Sequence, residues 1–326
     1  MLELTARTIG AHFLLRPSEA FNQRVLAVIG RALHLYAIQL HAFAVLSNHW
    51  HCLFTPPDAA TAREFVRYVQ GNLARAVNDE LGREGPVWCR AAVIPVVDAE
   101  AQLERLHYVL SQGAKEGLVA TPLDWPGVHA ARALCGREDL VGAWVDRSRA
   151  YRLRRGGSRG GGRDPQPHEV TTSYPITLAP VPALRHLEPA AYQQYMRALV
   201  ATIEVDARAA HPRPLGAAAI LAQDAFDCPR RSKRGRAPRC HAADDISRNA
   251  FLDARRAFID AHRTASRCLR ARPSQPAHYP GHAFPAAAPC VAKATTVVAA
   301  IDAPHQSSRG QRLAPVLQRA VESAVR

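Results

Sequence analysis

The first 130 residues of this 326-residue chain predict an α+β fold, an antiparallel sheet with helices packed against it. Three observations predict it. Short apolar runs of strand length alternate with stretches whose apolar residues recur at helical spacing. The order is strand, helix, strand, strand, helix, strand, helix, and the two middle strands are close enough to form a hairpin. Two βαβ halves sharing such a hairpin make the ferredoxin-like arrangement. A basic linker and a mainly helical C-terminal region are expected to follow.

Each element has its own signal. Residues 4–15, rich in Thr, Ile, Phe and Leu, read as the first strand. Pro17 and Ser18 then enter a helix on which Phe21, Val25, Val28, Ile29 and Leu33 recur. Residues 36–46 and 49–55 are apolar segments broken by Ser47 and Asn48, which predicts a tight hairpin; Pro56 and Pro57 end its second arm. A second helix over 61–81 carries Phe65, Val66, Val69, Leu73, Val77 and Leu81 on one stripe and stops at Gly82 and Gly85. Residues 87–97 form a fourth strand, with Pro95 pointing to a sheet edge. Asp98 caps a third helix from 99 to about 112, closed by Gly113.

Past Trp125 and Trp144 the composition changes. The expected division is a core over 1–134, an Arg/Gly-rich basic linker over 135–164, a helical, basic accessory region over 165–272, and a poorly ordered Pro/Ala-rich tail over 273–326. Helices are expected at 189–205, 215–223 and 246–269, with a short terminal one at 313–325. Residues 1–130 hold 11 Lys and Arg against 12 Asp and Glu, so nearly all of the +14 net charge lies beyond them. A neutral half joined to a basic half suits a polyanion held through its phosphates.

Composition excludes other classes. At 48% hydrophobic and 21% charged the chain is a globular protein, and it has no charge-free apolar run long enough to span a bilayer. Its start lacks the basic and apolar blocks of a signal peptide, so a cytoplasmic protein with no membrane association is expected. Seven scattered cysteines without a CxxC pair suit neither a zinc knuckle nor a disulfide framework. Cys240 beside His241 is a poor chelate, because adjacent residues cannot both turn to one ion.

The most informative motif is SNHWH at 47–51. In a strand, side chains at i and i+2 share a face, so His49 and His51 can reach one cation while Trp50 packs on the other side. Two imidazoles alone hold Mg²⁺ or Mn²⁺ poorly, since a hard cation prefers oxygen; Gln112 can supply an amide oxygen. On the third helix Leu103, Leu106 and Leu110 fall in one apolar arc, and Tyr108 and Gln112 lie roughly opposite, about 40° apart. A phenol and an amide one turn apart can face the same phosphate and metal. Taken singly, an HxH pair is more often structural and a helical tyrosine more often a packing residue; their combination is what points to phosphodiester cleavage.

At these residues the chain resembles the single-tyrosine HUH transposases, in particular the REP-associated tyrosine transposases. The likeness runs over residues 2–134 through SNHWH at 47–51, NLARAVN at 72–78, GPVW at 85–88, LHYVLSQGAKEGLV at 106–119 and DWPG at 124–127. It implies a ferredoxin-like core, His49, His51 and Gln112 as ligands of Mg²⁺ or Mn²⁺, and Tyr108 as nucleophile. It further implies cleavage and rejoining of single-stranded DNA beside a hairpin through a 5′-phosphotyrosine link. Related enzymes can pair the tyrosine of one subunit with the histidines of another, so the resemblance leaves open a homodimer and whether Tyr108 serves its own subunit or its partner. Two departures stand out. Where relatives commonly carry asparagine, proline and then a basic residue, this chain has Gln112, Gly113, Ala114 and Lys115. Its C-terminal half is also long, and Arg230, Arg231, Lys233, Arg234, Arg236 and Arg239 are the expected contacts to a hairpin stem.

Two other readings compete with a transposase. One is a domesticated hairpin-DNA-binding protein without transposition activity. The other is a basic protein with an inert core whose histidines only pack.

Overall fold

In the computed structural model, described over residues 1–156, 162–229, 237–272 and 279, the N-terminal part has the predicted α+β architecture. The elements are β1 (Leu2–Thr8), α1 (Glu19–Leu35), β2 (Gln39–Leu46), β3 (His49–Thr55), α2 (Ala59–Leu81), β4 (Trp88–Pro95) and α3 (Ala99–Leu110). The sheet order is β2-β3-β1-β4 with every pair antiparallel, so β4 is an edge strand as Pro95 suggests. Ser47 and Asn48 form the β2–β3 turn, which pairs Leu46 with His49.

The alternation of β3 divides the sheet into two faces. Trp50, Cys52 and Phe54 are buried, and the Phe54 ring stands 5.2 Å from Phe65 of α2. Opposite, the register places Thr5 beside His51 and Arg7 beside His49. Helix α3 packs over that second face, against β2 and β3. Side-chain caps set three helix starts: Ser18 accepts from Phe21 N–H, Asp58 from Thr61 and Asp98 from Ala101.

Three local expectations are corrected. The first strand ends at Thr8, because a turn over Ile9–Ala11 puts Gly10 at φ +62° and reverses the chain. Helix α3 ends at Leu110, so Gln112 lies beyond it; Ser111 is the C-cap and Gly113 takes φ +83°. Residues 147–163, in which no periodicity is visible, contain a helix over Arg147–Arg155, started by the Asp146 side chain accepting from Arg149 N–H.

The remaining elements are α4 (Ala131–Leu134), β5 (Val141–Val145), α5 (Arg147–Arg155), α6 (Pro167–Val170), β6 (Thr171–Pro175), α7 (Pro189–Ala210), α8 (Ala217–Leu221) and α9 (Asp245–Ala271). Strands β5 and β6 form a two-stranded antiparallel sheet packed against α1. The approach is close: a Cβ on Gly142 would stand 2.2 Å from the Leu26 carbonyl oxygen, so only glycine fits. Helix α7 buries Tyr195, Met196, Leu199, Val200 and Ile203, and one hydrophobic cluster runs from Leu4 through Ile220. The expected helices at 189–205, 215–223 and 246–269 match α7, α8 and α9 to within a few residues. The tail from 280 on, including the expected helix at 313–325, lies outside the described residues. Among the described residues no helix is long and apolar enough to cross a membrane.

Candidate active site

Four residues expected to act together do meet, within one chain, on the α3 face of the sheet. The His51 ring lies 5.3 Å from that of His49 and 5.4 Å from that of Tyr108, edge-on to both. Gln112, 1% exposed, turns its Oε1 to within 3.2 Å of His49 Nε2.

Hydrogen bonds fix the orientation of each donor. Asn48 donates its Nδ2 to the Ala11 carbonyl, 3.1 Å, so its Oδ1 faces His49 Nδ1 at 2.7 Å. Gln112 donates its Nε2 to the Tyr108 carbonyl, 3.1 Å, which leaves its Oε1 toward His49 Nε2. Burial, with the neighbouring His51 next in weight, depresses His49 to about 3, so its ring is neutral at pH 7 and carries one N–H. Two acceptor oxygens therefore claim a single proton. Whichever nitrogen carries it, the other presents its lone pair to an amide oxygen.

His51 is held in the same sense. Its Nδ1 bonds Glu3 Oε1 at 2.8 Å, which directs the Nε2 lone pair away from the carboxylate, the arrangement that a metal-ligating histidine uses. Glu3 sits on β1, 1% exposed. Arg105 of α3 donates to its Oε1 at 3.0 Å and brings Nε to 2.8 Å of Oε2; His241 Nε2 reaches Oε2 at 2.9 Å. Burial by itself would raise the Glu3 carboxyl, but the imidazoles of His241 and His51 and the Arg105 guanidinium outweigh it and hold it far below the carboxylate range.

Two cations flank Tyr108. Arg105 Cζ lies 3.7 Å and Lys115 Nζ 3.2 Å from the ring centroid. Arg105 is committed to Glu3. The Lys115 ammonium is not committed in the same way: its nitrogen is buried, without a hydrogen-bond partner, and 3.7 Å from Glu116 Oε1. Burial lowers it to about 8, with Glu116 opposing the shift. Gly113 packs under the Trp125 ring, where a Cβ would meet Cε3 at 3.0 Å. Its φ of +83° is one that proline cannot adopt, so the backbone here differs from the proline-bearing pattern of the resembling family.

The C-terminal half reaches the site on two sides. Ser47 Oγ donates to Gln223 Oε1 at 2.8 Å, and Arg16 donates to the Gln223 carbonyl at 2.9 Å. Beyond β4, His241 N–H donates to the Pro95 carbonyl at 2.8 Å, and Val97 N–H to that of His241 at 3.0 Å. Of the basic residues expected to hold a hairpin stem, Arg239 is exposed, two residues before His241. Arg230, Arg231, Lys233, Arg234 and Arg236 lie outside the described residues.

Glu3, Arg105, Asn48 and His241 were not legible as site residues. The alternation Glu3, Thr5, Arg7 along β1 marks a polar face, yet only the register shows that it is the histidine face. Among the described residues no three His, Cys, Asp or Glu side chains converge as a metal centre. A cation here would be held by two imidazoles and one amide, completed by water and phosphate oxygens.

No protein-family model matches the chain, and no curated protein matches it. Two solved structures are similar to parts of it. One is the structure of a REP-associated tyrosine transposase bound to a REP hairpin, at 17% identity and a TM-score of 0.33, covering 42% of this chain and 79% of that one. The other is a crystal structure of a Deinococcus radiodurans R1 protein named as a transposase, at 18% identity and a TM-score of 0.25, covering 34% and 88%. The functional reading rests on this chain's own geometry.

Proposed function

We propose that this protein is a metal-dependent transposase that cleaves and rejoins single-stranded DNA at hairpins, with Tyr108 as the nucleophile. The observation that carries the reading is the convergence of His49 Nε2 and Gln112 Oε1, 3.2 Å apart, beside His51, whose ring borders Tyr108. His49, His51 and Gln112 are the side chains that would hold one divalent cation, Mg²⁺ or Mn²⁺, bound beside them. Bound there, the cation supplies charge neutralisation at a non-bridging phosphate oxygen.

The protein's own part follows from its contacts. Glu3 and Asn48 fix the two imidazoles in their ligating tautomers. The phenolic oxygen of Tyr108 attacks phosphorus and its proton leaves to solvent; the P–O3′ bond breaks, and the departing oxygen takes up a proton as a free 3′ hydroxyl. In the reverse step a 3′ hydroxyl attacks the phosphotyrosine and the phenol departs. The exchange of one phosphodiester for another needs no external energy source. The basic excess beyond residue 130 supplies sequence-independent attraction for the DNA.

The test is incubation of the purified protein with labelled single-stranded hairpin DNA and Mn²⁺. A covalent adduct is expected in the wild type and absent in Tyr108→Phe. Hairpin binding with no adduct would instead favour a binding protein without transposition activity.

A further inference from the structure

Resting on that reading, we infer that the C-terminal half takes part in the chemistry through His241, a positioning residue that pins Glu3 and so fixes the donor nitrogen of His51. The placement is specific. Residues 240–243 run along the free edge of β4, where Val96 and His241 form a parallel bridge. The backbone of His241 is held on both sides, by Pro95 and Val97, and Ala243 N–H donates to Asp98 Oδ2 at 2.9 Å. Asp98 is the N-cap of α3, the helix that carries Tyr108. The segment therefore grips the start of that helix and places an imidazole against the buried carboxylate.

Glu3 has two oxygens and two duties. Oε1 is hydrogen-bonded to His51 Nδ1 and Arg105, and Oε2 lies within ion-pair distance of Arg105 Nε, 2.8 Å, and His241 Nε2, 2.9 Å. With Oε1 hydrogen-bonded and two nitrogens packed against Oε2, the carboxylate is held in place, and with it the axis along which the His51 ring points its other nitrogen. Removing His241 frees one side of Oε2, so the carboxylate can turn toward Arg105 and take His51 with it. A surface histidine would not need this setting: the His241 side chain is only 17% exposed and its partner 1%.

The experiment uses the full chain and follows bound Mn²⁺ through the loss of the free-ion electron paramagnetic resonance signal, alongside the rate of adduct formation at saturating hairpin. His241→Phe keeps the ring volume and the backbone bridge and removes the N–H. It is expected to weaken Mn²⁺ binding and slow the adduct about tenfold, the lower end of what orienting partners contribute, with the KM for hairpin unchanged. His241→Gln restores a donor and is expected to recover most of both. His241→Asn, too short to reach Glu3 and polar enough for this position, serves as a second loss variant should His241→Phe not fold. Wild-type Mn²⁺ affinity in either loss variant, or a Gln variant as impaired as the Phe one, overturns the inference while leaving the functional reading standing. A wild-type protein that neither binds Mn²⁺ nor forms an adduct takes down both.

Discussion

Replacing Glu3 by Gln keeps the shape of the most connected side chain in the site and removes its charge. Arg105 then faces an amide in place of a carboxylate, at a position where its own side chain is only 16% exposed. Charge centres about 4 Å apart at an effective dielectric near 20 interact by about 4 kcal/mol. Losing one partner of a buried pair costs about 3–5 kcal/mol. Water reaches the guanidinium in part, and it keeps its contact with the Tyr108 ring, so the lower end applies: about 3 kcal/mol off the free energy of unfolding. Arg105→Met should cost a similar amount by leaving the carboxylate short of its cation. The double variant should cost clearly less than the sum, because neither charge is then stranded. Urea unfolding followed by tryptophan fluorescence measures all three. Additive losses, or a Glu3→Gln variant within about 0.5 kcal/mol of wild type, would refute the view of Glu3 as a charge-bearing hub.

Three further outcomes are expected. Gly113→Ala should destabilise by about 1–2 kcal/mol, since φ +83° strains an L residue and the new Cβ presses on Trp125 at 3.0 Å; a neutral effect in thermal unfolding would contradict the turn geometry. His41, buried and bonded to the Ala179 carbonyl and Thr55 Oγ1, is lowered by burial to about 4. The unfolded chain therefore binds a proton that the folded chain refuses. Stability should be whole above about pH 6.5 and fall by up to about 3 kcal/mol as pH drops toward 4; an unaltered pH slope in His41→Gln would count against this. A fragment ending at Leu134 loses the α7 residues that share its core. Each buried side chain contributes about 1.5–3 kcal/mol, so the fragment should not unfold cooperatively; a sharp urea transition for it would show that α7 is dispensable.

Much of the fold was written in local pattern. The helix entry at Ser18, the cap at Asp98, the helical stripes and the two-residue break at Ser47 and Asn48 are short-range signals, and the helices and hairpin formed within a few residues of where those signals lie. Where a left-handed turn decided a boundary, as at Gly10, the composition of the segment was a poorer guide than the backbone angle, whereas Gly113 was legible as the stop of α3. Helix α5 escaped notice for a related reason: its arginines carry no apolar stripe, and it is held by the Asp146 cap and an Arg147 pair with Asp79.

The residue types of the site, His49, His51, Tyr108 and Gln112, and the shared face of the two histidines were determined by the sequence alone, because strand alternation is periodic in the chain itself, whereas Gln112 lies past the end of α3 and reaches His49 through the turn there. Which nitrogen each imidazole turns outward was decided only in three dimensions. That choice belongs to Glu3 from another strand, Asn48 locked by Ala11, and His241 from far along the chain. Partners of that kind meet through register and edge docking, and neither has a period that a linear reading can detect.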